Sequence, residues 1–293
     1  MILASIDIGS NAVRLLFANA YLSEGRTHVE KATLVRIPVR LGMDVFKDNF
    51  ISKERSKMLI KTLKAFKLLI DVYKPVAYTA YATAAMREAK NNKAIIKKIK
   101  KETGIEVKII DGIEEANIIK EMNNVITESN SKYNMYIDVG GGSTDISILE
   151  KKRIISSASF NIGTIRLLEE KVEKKEWERL EKFLKGLSVY SNNIYCIGTG
   201  GNINKIAKMF ADPLKNTILF SELAEIYNNL DKLSVSERMI RYGLREDRAD
   251  VIVPAARIYL EILKTTGIEK INVPRIGLAD GLIYKMFKEM KNE

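Results

Sequence analysis

The sequence has little of what disulfide scaffolds, zinc proteins and membrane proteins depend on. Its 293 residues include 1 Cys, 1 His and 5 Pro. The single cysteine, Cys196, excludes an internal disulfide, and the single histidine, His28, excludes a zinc site built on several His and Cys. No apolar run approaches the ~18 residues that cross a bilayer, and the first residues lack the basic segment of a signal peptide. We therefore expect a cytoplasmic protein with no membrane partner.

Charge is the most uneven property of the composition. There are 48 Lys and Arg against 37 Asp and Glu, a net charge of +11. Such a surplus favours polyanionic partners, although a general preference for lysine produces the same count. The basic residues are spread along amphipathic segments, mixed with Glu, and form no single basic tail. We expect phosphorylated substrates as partners and no nucleic acid.

Short apolar runs alternate with segments of helical periodicity along the chain. Hydrophobic residues make up 46% of the sequence, which is enough apolar surface for folded domains. This order of strands and helices predicts an α/β protein. Ile6–Asn11 is similar to Ile137–Gly142, about one domain length later, so we interpret the chain as two domains of one plan. The predicted domains are 1–125 and 126–293, and the closing helix over 278–293 is a candidate to pack back on the first domain.

Local signals predict where several helices begin and end. Ser52 is a predicted N-cap of a long helix. Gly104 is a predicted C-cap of the helix after it. We also predict a helix from Glu114 to about Thr127 and one uninterrupted helix over 164–186.

Two glycine-rich turns occupy equivalent places in the two halves of the chain. Such a turn exposes backbone N–H groups that can surround phosphate oxygens, or it is simply a tight hairpin. If the first hairpin is centred between Ser10 and Asn11, Asp7 faces Arg14 across the strands. Facing residues share one side of a sheet, so these two charges compensate each other.

The second turn predicts a different pair. If this hairpin is centred between Gly141 and Gly142, Asp138 faces Asp145. Two carboxylates at ~5 Å repel each other unless a proton or a cation lies near them. A divalent cation with oxygen ligands, Mg²⁺ or Mn²⁺, is the natural occupant, and the assumed register makes this a hypothesis.

Glu114 and Glu115 follow a predicted strand and open a helix. One explanation is that the helix dipole favours carboxylates in the first turn. The other is that a carboxylate at the end of a strand orients and deprotonates a water molecule. The local sequence leaves both explanations open.

Two further segments and one cysteine follow or lie within predicted strands. Arg87 can bind phosphate through its forked guanidinium, or it can pair with Glu88 or Asp71 on the surface. Gly198–Asn202 is a strand-to-helix turn of a kind that can host phosphate or a nucleotide, although short glycine clusters are common. Cys196 lies in an apolar strand, and we expect it to be buried and unreactive.

Together these motifs resemble the exopolyphosphatase/guanosine pentaphosphate phosphohydrolase family, Ppx/GppA, nearly from end to end. The most specific part is the first turn, Asp7–Leu15, with its Ser-Asn pair and trailing Arg. The other segments that carry the resemblance are Arg40–Gly42, Ala82–Ala89, Ile110–Ala116, Asp138–Asp145, Ser236–Arg238, Gly243–Leu244 and Arg248–Ile252.

The resemblance implies two RNase H-like domains of the actin, sugar-kinase and chaperone-ATPase superfamily, with the active site in the cleft between them. It implies Mg²⁺-assisted removal of a terminal phosphoryl group by water, from inorganic polyphosphate or from pppGpp. Position by position, Glu115 is the implied general base, and Asp138 and Asp145 are the implied metal ligands. The implied phosphate-binding residues are Ser10, Asn11, Arg87, Gly140, Gly141, Gly142 and Ser143.

Two places depart from the family pattern. Asp145 stands where the family usually has Glu, and this shorter side chain resembles the chaperone ATPases. Gly277–Gly281 resembles the closing Gly-Leu-Arg-Glu-Gly of the family, but Ala279 and Asp280 replace its Arg and Glu. Longer members carry a further helical domain, so a channel for long polyphosphate would here have to come from a homodimer or would not exist.

We expect an exopolyphosphatase-like hydrolase. A pppGpp 5′-phosphohydrolase is the alternative enzyme, and a polyphosphate- or nucleotide-binding regulator with little turnover is the alternative of another class. A kinase or chaperone-type ATPase needs an adenosine pocket, for which Gly198–Asn202 is the only candidate. Tight binding of ATP would identify that last class.

Overall fold

The computed structural model describes residues 1–122, 131–151, 153–187, 193–212 and 216–291. The chain divides into two units, unit 1 formed by Met1–Asn124 with Gly277–Glu293, and unit 2 formed by Val125–Ile276. The last part of the helix predicted to end near Thr127 lies outside the described residues. In the part of the chain that is described, no helix has the length and apolarity to span a bilayer.

Unit 1 is built on one five-stranded sheet. Its strands are β1 (Ile2–Ile8), β2 (Val13–Ser23), β3 (Arg26–Ile37), β4 (Ala77–Ala82) and β5 (Val107–Ile109). They are arranged in the order β3-β2-β1-β4-β5. The first three strands form an antiparallel meander, and β4 and β5 extend the sheet parallel to β1.

Helices follow the strands of unit 1 and cover its sheet. They are α1 (Leu41–Asp48), α2 (Lys53–Tyr73), α3 (Ala84–Glu88), α4 (Asn92–Thr103) and α5 (Gly112–Lys120). The Ser52 hydroxyl accepts a hydrogen bond from the Arg55 amide at 3.2 Å, and Gly104 adopts the left-handed conformation after α4, so both predicted caps are confirmed. The sequence did not indicate α1, because Arg40 precedes it in a left-handed conformation without a side-chain cap.

The last helix of the chain belongs to unit 1. In α13 (Leu278–Lys291), Ile283 and Phe287 are buried with Leu3 of β1 and Leu16 of β2. A second buried contact joins Leu282 to Ile118 of α5. Helix α13 is thus packed against both the central strands and the helix that carries Glu115.

Unit 2 is built on one six-stranded sheet. Its strands are β6 (Tyr133–Val139), β7 (Thr144–Glu150), β8 (Arg153–Phe160), β9 (Ile194–Thr199), β10 (Thr217–Leu219) and β11 (Lys270–Asn272). They are arranged in the order β10-β11-β9-β6-β7-β8. Starting from β8 and leaving out β10, the order is β8-β7-β6-β9-β11. This order and its strand directions match those of β3-β2-β1-β4-β5 in unit 1. Both units therefore have the RNase H-like sheet.

The helices of unit 2 differ from prediction at one place. They are α6 (Thr164–Leu168), α7 (Lys174–Gly186), α8 (Gly201–Phe210), α9 (Phe220–Asp231), α10 (Val235–Tyr242), α11 (Glu246–Ala249) and α12 (Ile252–Thr266). The uninterrupted helix predicted over 164–186 is wrong. Glu170 has φ 54°, a left-handed conformation that ends a run of helical hydrogen bonds. The Lys171 amide instead donates to the Arg166 carbonyl at 2.8 Å.

The core of unit 2 encloses the strand that precedes the second glycine turn. Tyr259 of α12 is fully buried, and its hydroxyl donates to the Thr199 carbonyl of β9 at 3.0 Å. Cys196 of β9 is buried, as predicted, and burial raises the pKa of its thiol to about 12. The site residues of β6 and β9 therefore stand on a rigid, packed support.

Candidate functional site

The first turn is supported by a buried ion pair. In the β1–β2 hairpin Asp7 lies directly opposite Arg14, as predicted, and the Arg14 guanidinium donates to the Asp7 carboxylate. Asp7 is 3% exposed. A Cβ on Gly9 would lie 3.2 Å from the Ala12 carbonyl oxygen and 3.7 Å from the Asp7 carboxylate, so little room remains beside the pair. This turn thus carries no uncompensated carboxylate.

Ser10 and Asn11 are held by two other segments of unit 1. The Ser10 hydroxyl accepts a hydrogen bond from the Ala85 amide of α3 at 3.3 Å. The Ser10 carbonyl accepts from the Gly42 amide at 2.8 Å, and the Asn11 carbonyl accepts from the Arg40 amide at 3.0 Å. Because the Ser10 oxygen is the acceptor from Ala85, its own proton is directed elsewhere and can be donated to an anion.

Arg87 and Glu115 follow neighbouring parallel strands, and so they lie at the same edge of the sheet. The Arg87 guanidinium donates to the Ile110 carbonyl at 2.8 Å, where β5 leads into α5. The Asp111 carboxylate caps α5 by accepting from the Glu114 amide at 2.8 Å. Asp71, one of the predicted surface partners of Arg87, pairs with Lys67. Arg87 thus connects α3 to the helix that carries Glu115.

The two adjacent glutamates of α5 have different surroundings. Glu114 forms an ion pair with Lys108 of β5, and the Lys285 ammonium lies 4.0 Å from the same carboxylate. Glu115 is half-buried and, as the next residue of the helix, points about 100° away from Glu114. Glu114 is thus in contact with lysines of β5 and α13, and Glu115, the base that the family resemblance implies, lies on another side of α5.

In unit 2, Asp138 and Asp145 face each other across β6 and β7, as predicted. Asp145 is buried and accepts a hydrogen bond from the Ser143 hydroxyl at 2.9 Å. Asp138 is half-buried and accepts one from the Thr199 hydroxyl at 3.0 Å. Both carboxylates are therefore oriented by a neighbouring hydroxyl group while sharing one side of the sheet.

Gly200 completes the surroundings of Asp138, and sequence reasoning did not find this role. Its φ is +90°, and a Cβ there would lie 2.5 Å from an Asp138 carboxylate oxygen. The cluster Gly198–Asn202 thus allows the chain to pass close beside Asp138. The sequence could have indicated this contact only through the similarity of the two halves. In unit 1 the strand β4 pairs in parallel with β1, and in unit 2 the strand β9 pairs in the same way with β6.

The second glycine turn, residues 140–143, is anchored through its carbonyl groups. These accept hydrogen bonds from the start of α6, with Gly140 O receiving Thr164 N at 3.0 Å, Gly141 O receiving Ile165 N at 2.9 Å and Gly142 O receiving Arg166 Nε at 2.6 Å. In a planar trans peptide the N–H points opposite to the carbonyl. The amides of Gly141, Gly142 and Ser143 are therefore directed away from α6. Successive N–H groups of this kind form an anion-binding concavity.

The donor set of this turn fits a hard divalent cation. Asp138 and Asp145 supply oxygen ligands on one side of the sheet. Among the described residues, no group of three or more His, Cys, Asp or Glu could hold a metal ion. Mg²⁺ is commonly bound by one or two carboxylates, with water and substrate phosphates as its other ligands. Two facing aspartates beside an anion-binding turn match that pattern.

Asp280, at the start of α13, replaces the Glu of the family pattern and has a structural setting. Its carboxylate accepts hydrogen bonds from the Gly277 amide and from the Lys31 ammonium, each at 2.9 Å. Burial raises the pKa of Asp280, and the Lys31 charge opposes that increase. The Ser5 hydroxyl donates to the Ala279 carbonyl at 2.7 Å. This segment therefore fixes the start of α13 on β1 and β3.

Gly281 positions α13 against the helix of Glu115. A Cβ on Gly281 would lie 2.7 Å from the Ile118 Cγ2 atom and 2.9 Å from the Ile118 carbonyl oxygen. Ile118 is one helical turn beyond Glu115 in α5. A larger residue at position 281 would therefore displace the helix that carries the candidate base.

Comparison with known proteins identifies the family of the chain. The profile of the Ppx/GppA phosphatase family matches residues 30–290. The bifunctional 3-dehydroquinate synthase/phosphatase of Fusobacterium nucleatum is 29% identical over 294 residues, which cover 90% of this chain and 43% of that protein. The guanosine-5′-triphosphate,3′-diphosphate pyrophosphatase of Photobacterium profundum is 24% identical over 303 residues, which cover 99% of this chain and 60% of that protein. The chain thus spans less than two thirds of the length of these two relatives.

A solved structure is also similar to this chain. The crystal structure of an exopolyphosphatase from Cytophaga hutchinsonii is 25% identical, with a TM-score of 0.84, and the match covers 99% of this chain and 98% of that one. Since the family profile matches most of the sequence, the chain belongs to the Ppx/GppA phosphatase family.

Proposed function

We propose that the protein releases the terminal phosphate of inorganic polyphosphate by hydrolysis with the assistance of Mg²⁺. The observation that carries this proposal is the pairing of Asp138 with Asp145 beside a turn whose amides are directed outward. That combination suits a cation and the phosphate oxygens it neutralises. Membership of a phosphatase family supports hydrolysis of a phosphate bond. A cytoplasmic location and a homodimer stay predictions.

Glu115 is the proposed general base. It accepts a proton from the water molecule whose oxygen attacks the terminal phosphorus. The bond from that phosphorus to the bridging oxygen breaks, and the products are orthophosphate and a chain shorter by one phosphate. The choice of Glu115 over Glu114 rests on its place in the motif that resembles the family, and Glu114 is in contact with Lys108 and Lys285.

Asp138 and Asp145 are the proposed ligands of Mg²⁺. When bound, the ion neutralises charge on the phosphate oxygens and makes the phosphorus easier to attack. The hydrogen bonds from Ser143 and Thr199 hold the two carboxylates in place for this purpose. Mn²⁺ has similar ligand preferences and is the expected substitute.

The remaining proposed site residues bind phosphate oxygens. Ser10 donates its hydroxyl proton and Asn11 its amide protons, while Arg87 contacts the anionic chain. In unit 2 the backbone amides at Gly141, Gly142 and Ser143 serve the same role, and Gly140 begins the turn.

A pppGpp 5′-phosphohydrolase is the second candidate. It is favoured by the likeness to the Photobacterium profundum protein, whose name describes action on that nucleotide. Both substrates present a terminal phosphate to the same groups.

The test compares two neighbouring carboxylates. We would measure phosphate release from long-chain polyphosphate and from pppGpp with Mg²⁺, using wild type, Glu115→Gln and Glu114→Gln. The proposal expects a loss of at least a hundredfold in kcat for Glu115→Gln and little change for Glu114→Gln, with polyphosphate as the faster substrate. Faster release from pppGpp would favour the second candidate. No release from either substrate by folded wild type would contradict both.

A further inference from the structure

The net positive charge is concentrated on two helices of unit 1. Helices α2 and α4 carry 6 and 5 basic residues against 2 and 1 acidic ones, a net of +8. The whole chain has a net charge of +11. The two helices pack against each other. A local charge of this size on neighbouring helices attracts polyanions.

Six lysines of these helices are exposed and make no ion pair within the described residues. We call them the lysine face, which consists of Lys53, Lys57, Lys61, Lys93, Lys97 and Lys101. They form two rows, one on each helix, with lysines four residues apart. That spacing places each lysine about 6 Å from the next along one side of the helix. Like charges at this spacing destabilise a helix, so the rows are unfavourable without a bound anion.

Glu102 connects the two helices beside the lysine face. Its carboxylate lies 2.6 Å from the Lys64 ammonium of α2 and 3.8 Å from the Lys98 ammonium of α4. Lys64 lies on the same side of α2 as its row, since eleven residues are close to three helical turns. Glu102 follows Lys101 in the sequence. Glu102 thus joins the two helices beside the rows, and Glu54, next to Lys53, is another exposed acidic residue of α2.

We propose that the lysine face binds the body of a long inorganic polyphosphate chain. The choice of polyphosphate among polyanions rests on the proposed function. Polyphosphate is also favoured by the type of side chain on the two helices and by the length of the two rows. Lysine is a point charge that binds phosphate without a preferred geometry, and each row extends about 12 Å, which favours a chain over a single phosphate.

The structure argues against single-stranded RNA as the partner, and the experiment below also has to separate polyphosphate from an anionic membrane. Surfaces for single-stranded RNA combine basic residues with aromatic side chains on which bases stack. On α2 and α4 the aromatic residues are Phe66, which is buried, and Tyr73, which stacks on Phe17 with ring centroids 4.1 Å apart. A membrane-surface helix needs a free apolar side. Leu63 and Ile99 are buried in unit 1, but Met58, Leu68 and Val72 of α2 are exposed, so equal competition by vesicles of anionic lipid would also overturn the proposal.

The experiment measures polyphosphate binding with EDTA present, so that no chain is consumed. The test variant carries Lys57→Gln, Lys61→Gln, Lys97→Gln and Lys101→Gln. The matched control removes four exposed lysines of unit 2, through Lys171→Gln, Lys182→Gln, Lys232→Gln and Lys264→Gln. We expect the test variant to bind long-chain polyphosphate at least tenfold more weakly at low salt, and its salt dependence to fall by ~0.7 per lysine lost. We expect the control variant to bind like wild type.

A single substitution tests the opposite direction. Glu102→Gln removes the carboxylate that joins the two helices and releases Lys64 and Lys98, so long-chain polyphosphate should bind several-fold more tightly. This arm remains informative if the fourfold test variant fails to fold. The proposal is overturned if Glu102→Gln does not tighten binding, if the control loses as much affinity as the test variant, or if RNA of equal length competes equally through the same lysines.

Short substrates separate this proposal from the proposed function. Tripolyphosphate is too short to reach from the candidate site groups along both rows. Its hydrolysis by the test variant should therefore be unchanged, while KM for long chains rises about tenfold. If wild type releases no phosphate from any polyphosphate, the proposed function fails, and the binding titrations still decide whether the lysine face holds the chain.

Discussion

Asp138 and Asp145 face each other across β6 and β7, and each accepts a hydrogen bond from a neighbouring hydroxyl group. Asp145 is 9% exposed, so water screens its charge only weakly. A divalent cation bound to the pair offsets the repulsion between the two carboxylates. A cation that binds only the folded state also stabilises it. If the proposed cation binds this pair, its binding and the free energy of unfolding are linked through these two residues.

Asp145→Asn tests this link because it removes one charge and keeps the shape of the side chain. With EDTA, we expect the free energy of unfolding of the variant to rise by about 0.5–1 kcal/mol, since the facing like charge is gone. At 100 times its Kd, Mg²⁺ should stabilise wild type by about 2.7 kcal/mol and the variant by much less. Urea unfolding with and without Mg²⁺ measures all four values. Asp231→Asn, at an exposed position of the same unit, is the control, and equal stabilisation of wild type and Asp145→Asn by Mg²⁺ would contradict the assignment.

Gly200→Ala should disturb Asp138 directly. The added Cβ would lie 2.5 Å from the Asp138 carboxylate, at a φ of +90° that other residues rarely adopt. We expect a loss of about 1–3 kcal/mol in the free energy of unfolding, together with weaker binding of Mg²⁺. Gly186→Ala is the matched control, because nothing lies within 4 Å of the new Cβ and alanine favours the helix. Urea unfolding and Mg²⁺ calorimetry on both variants should give opposite signs for stability, and equal behaviour of the two would overturn this account.

The two facing pairs of the site could be predicted because strand pairing follows a simple rule. Once a hairpin is centred, every residue has a defined partner and a defined side of the sheet. The structure confirms this for Asp7 with Arg14 and for Asp138 with Asp145. The same rule could not predict that Thr199 and Gly200 approach Asp138. That contact depends on the parallel pairing of β6 with β9, which no local signal specifies.

Helix boundaries were predicted where a side chain marks them and missed where the backbone alone does. Ser52 and Gly104 are such markers, and both caps are observed. Arg40 and Glu170 adopt left-handed conformations although neither is glycine or asparagine. The residue type therefore did not predict a helix boundary at either position. As a result α1 was not predicted, and one helix was predicted where α6 and α7 are separate.

Asp280 should make stability depend on pH in a defined direction. Burial raises its pKa above the usual value of an aspartate, so the folded state binds its proton more tightly than the unfolded state does. The free energy of unfolding should therefore fall as pH rises from about 4 through the raised pKa, by at most ~1.4 kcal/mol per pH unit. Asp280→Asn stays neutral and should lack this decrease, so its stability relative to wild type should grow across that window.

The measurement for Asp280 is urea unfolding of wild type and variant at closely spaced pH values from 3.5 upward. The ion pair with Lys31 forms only when Asp280 is ionised, so its loss in the variant is part of the same pH-dependent difference and is already included in the direction of the pKa shift. Asp48→Asn, at an exposed position of the same unit, is the control. A difference between wild type and Asp280→Asn that does not change with pH would show that burial does not govern this carboxyl group.

Gly281→Ala should affect catalysis through the position of α5. The new Cβ would lie 2.9 Å from the Ile118 carbonyl oxygen, a backbone atom, so α5 and α13 must separate. Glu115 lies one turn before Ile118, and a shift of about 1 Å in a catalytic group can reduce a rate a hundredfold. We expect kcat for polyphosphate to fall by tenfold or more, with a loss of about 1–3 kcal/mol in the free energy of unfolding.

A second substitution separates displacement of α5 from a general loss of stability. In Ile118→Ala/Gly281→Ala the side-chain contact at 2.7 Å is removed, while the contact with the carbonyl oxygen remains. The helices can then approach more closely, so part of the lost kcat should return even though the cavity left by Ile118 lowers stability further. Steady-state kinetics and urea unfolding on the two variants and on Ile118→Ala alone would establish this. If kcat instead follows stability downward through the series, Gly281 acts on folding alone and not through Glu115.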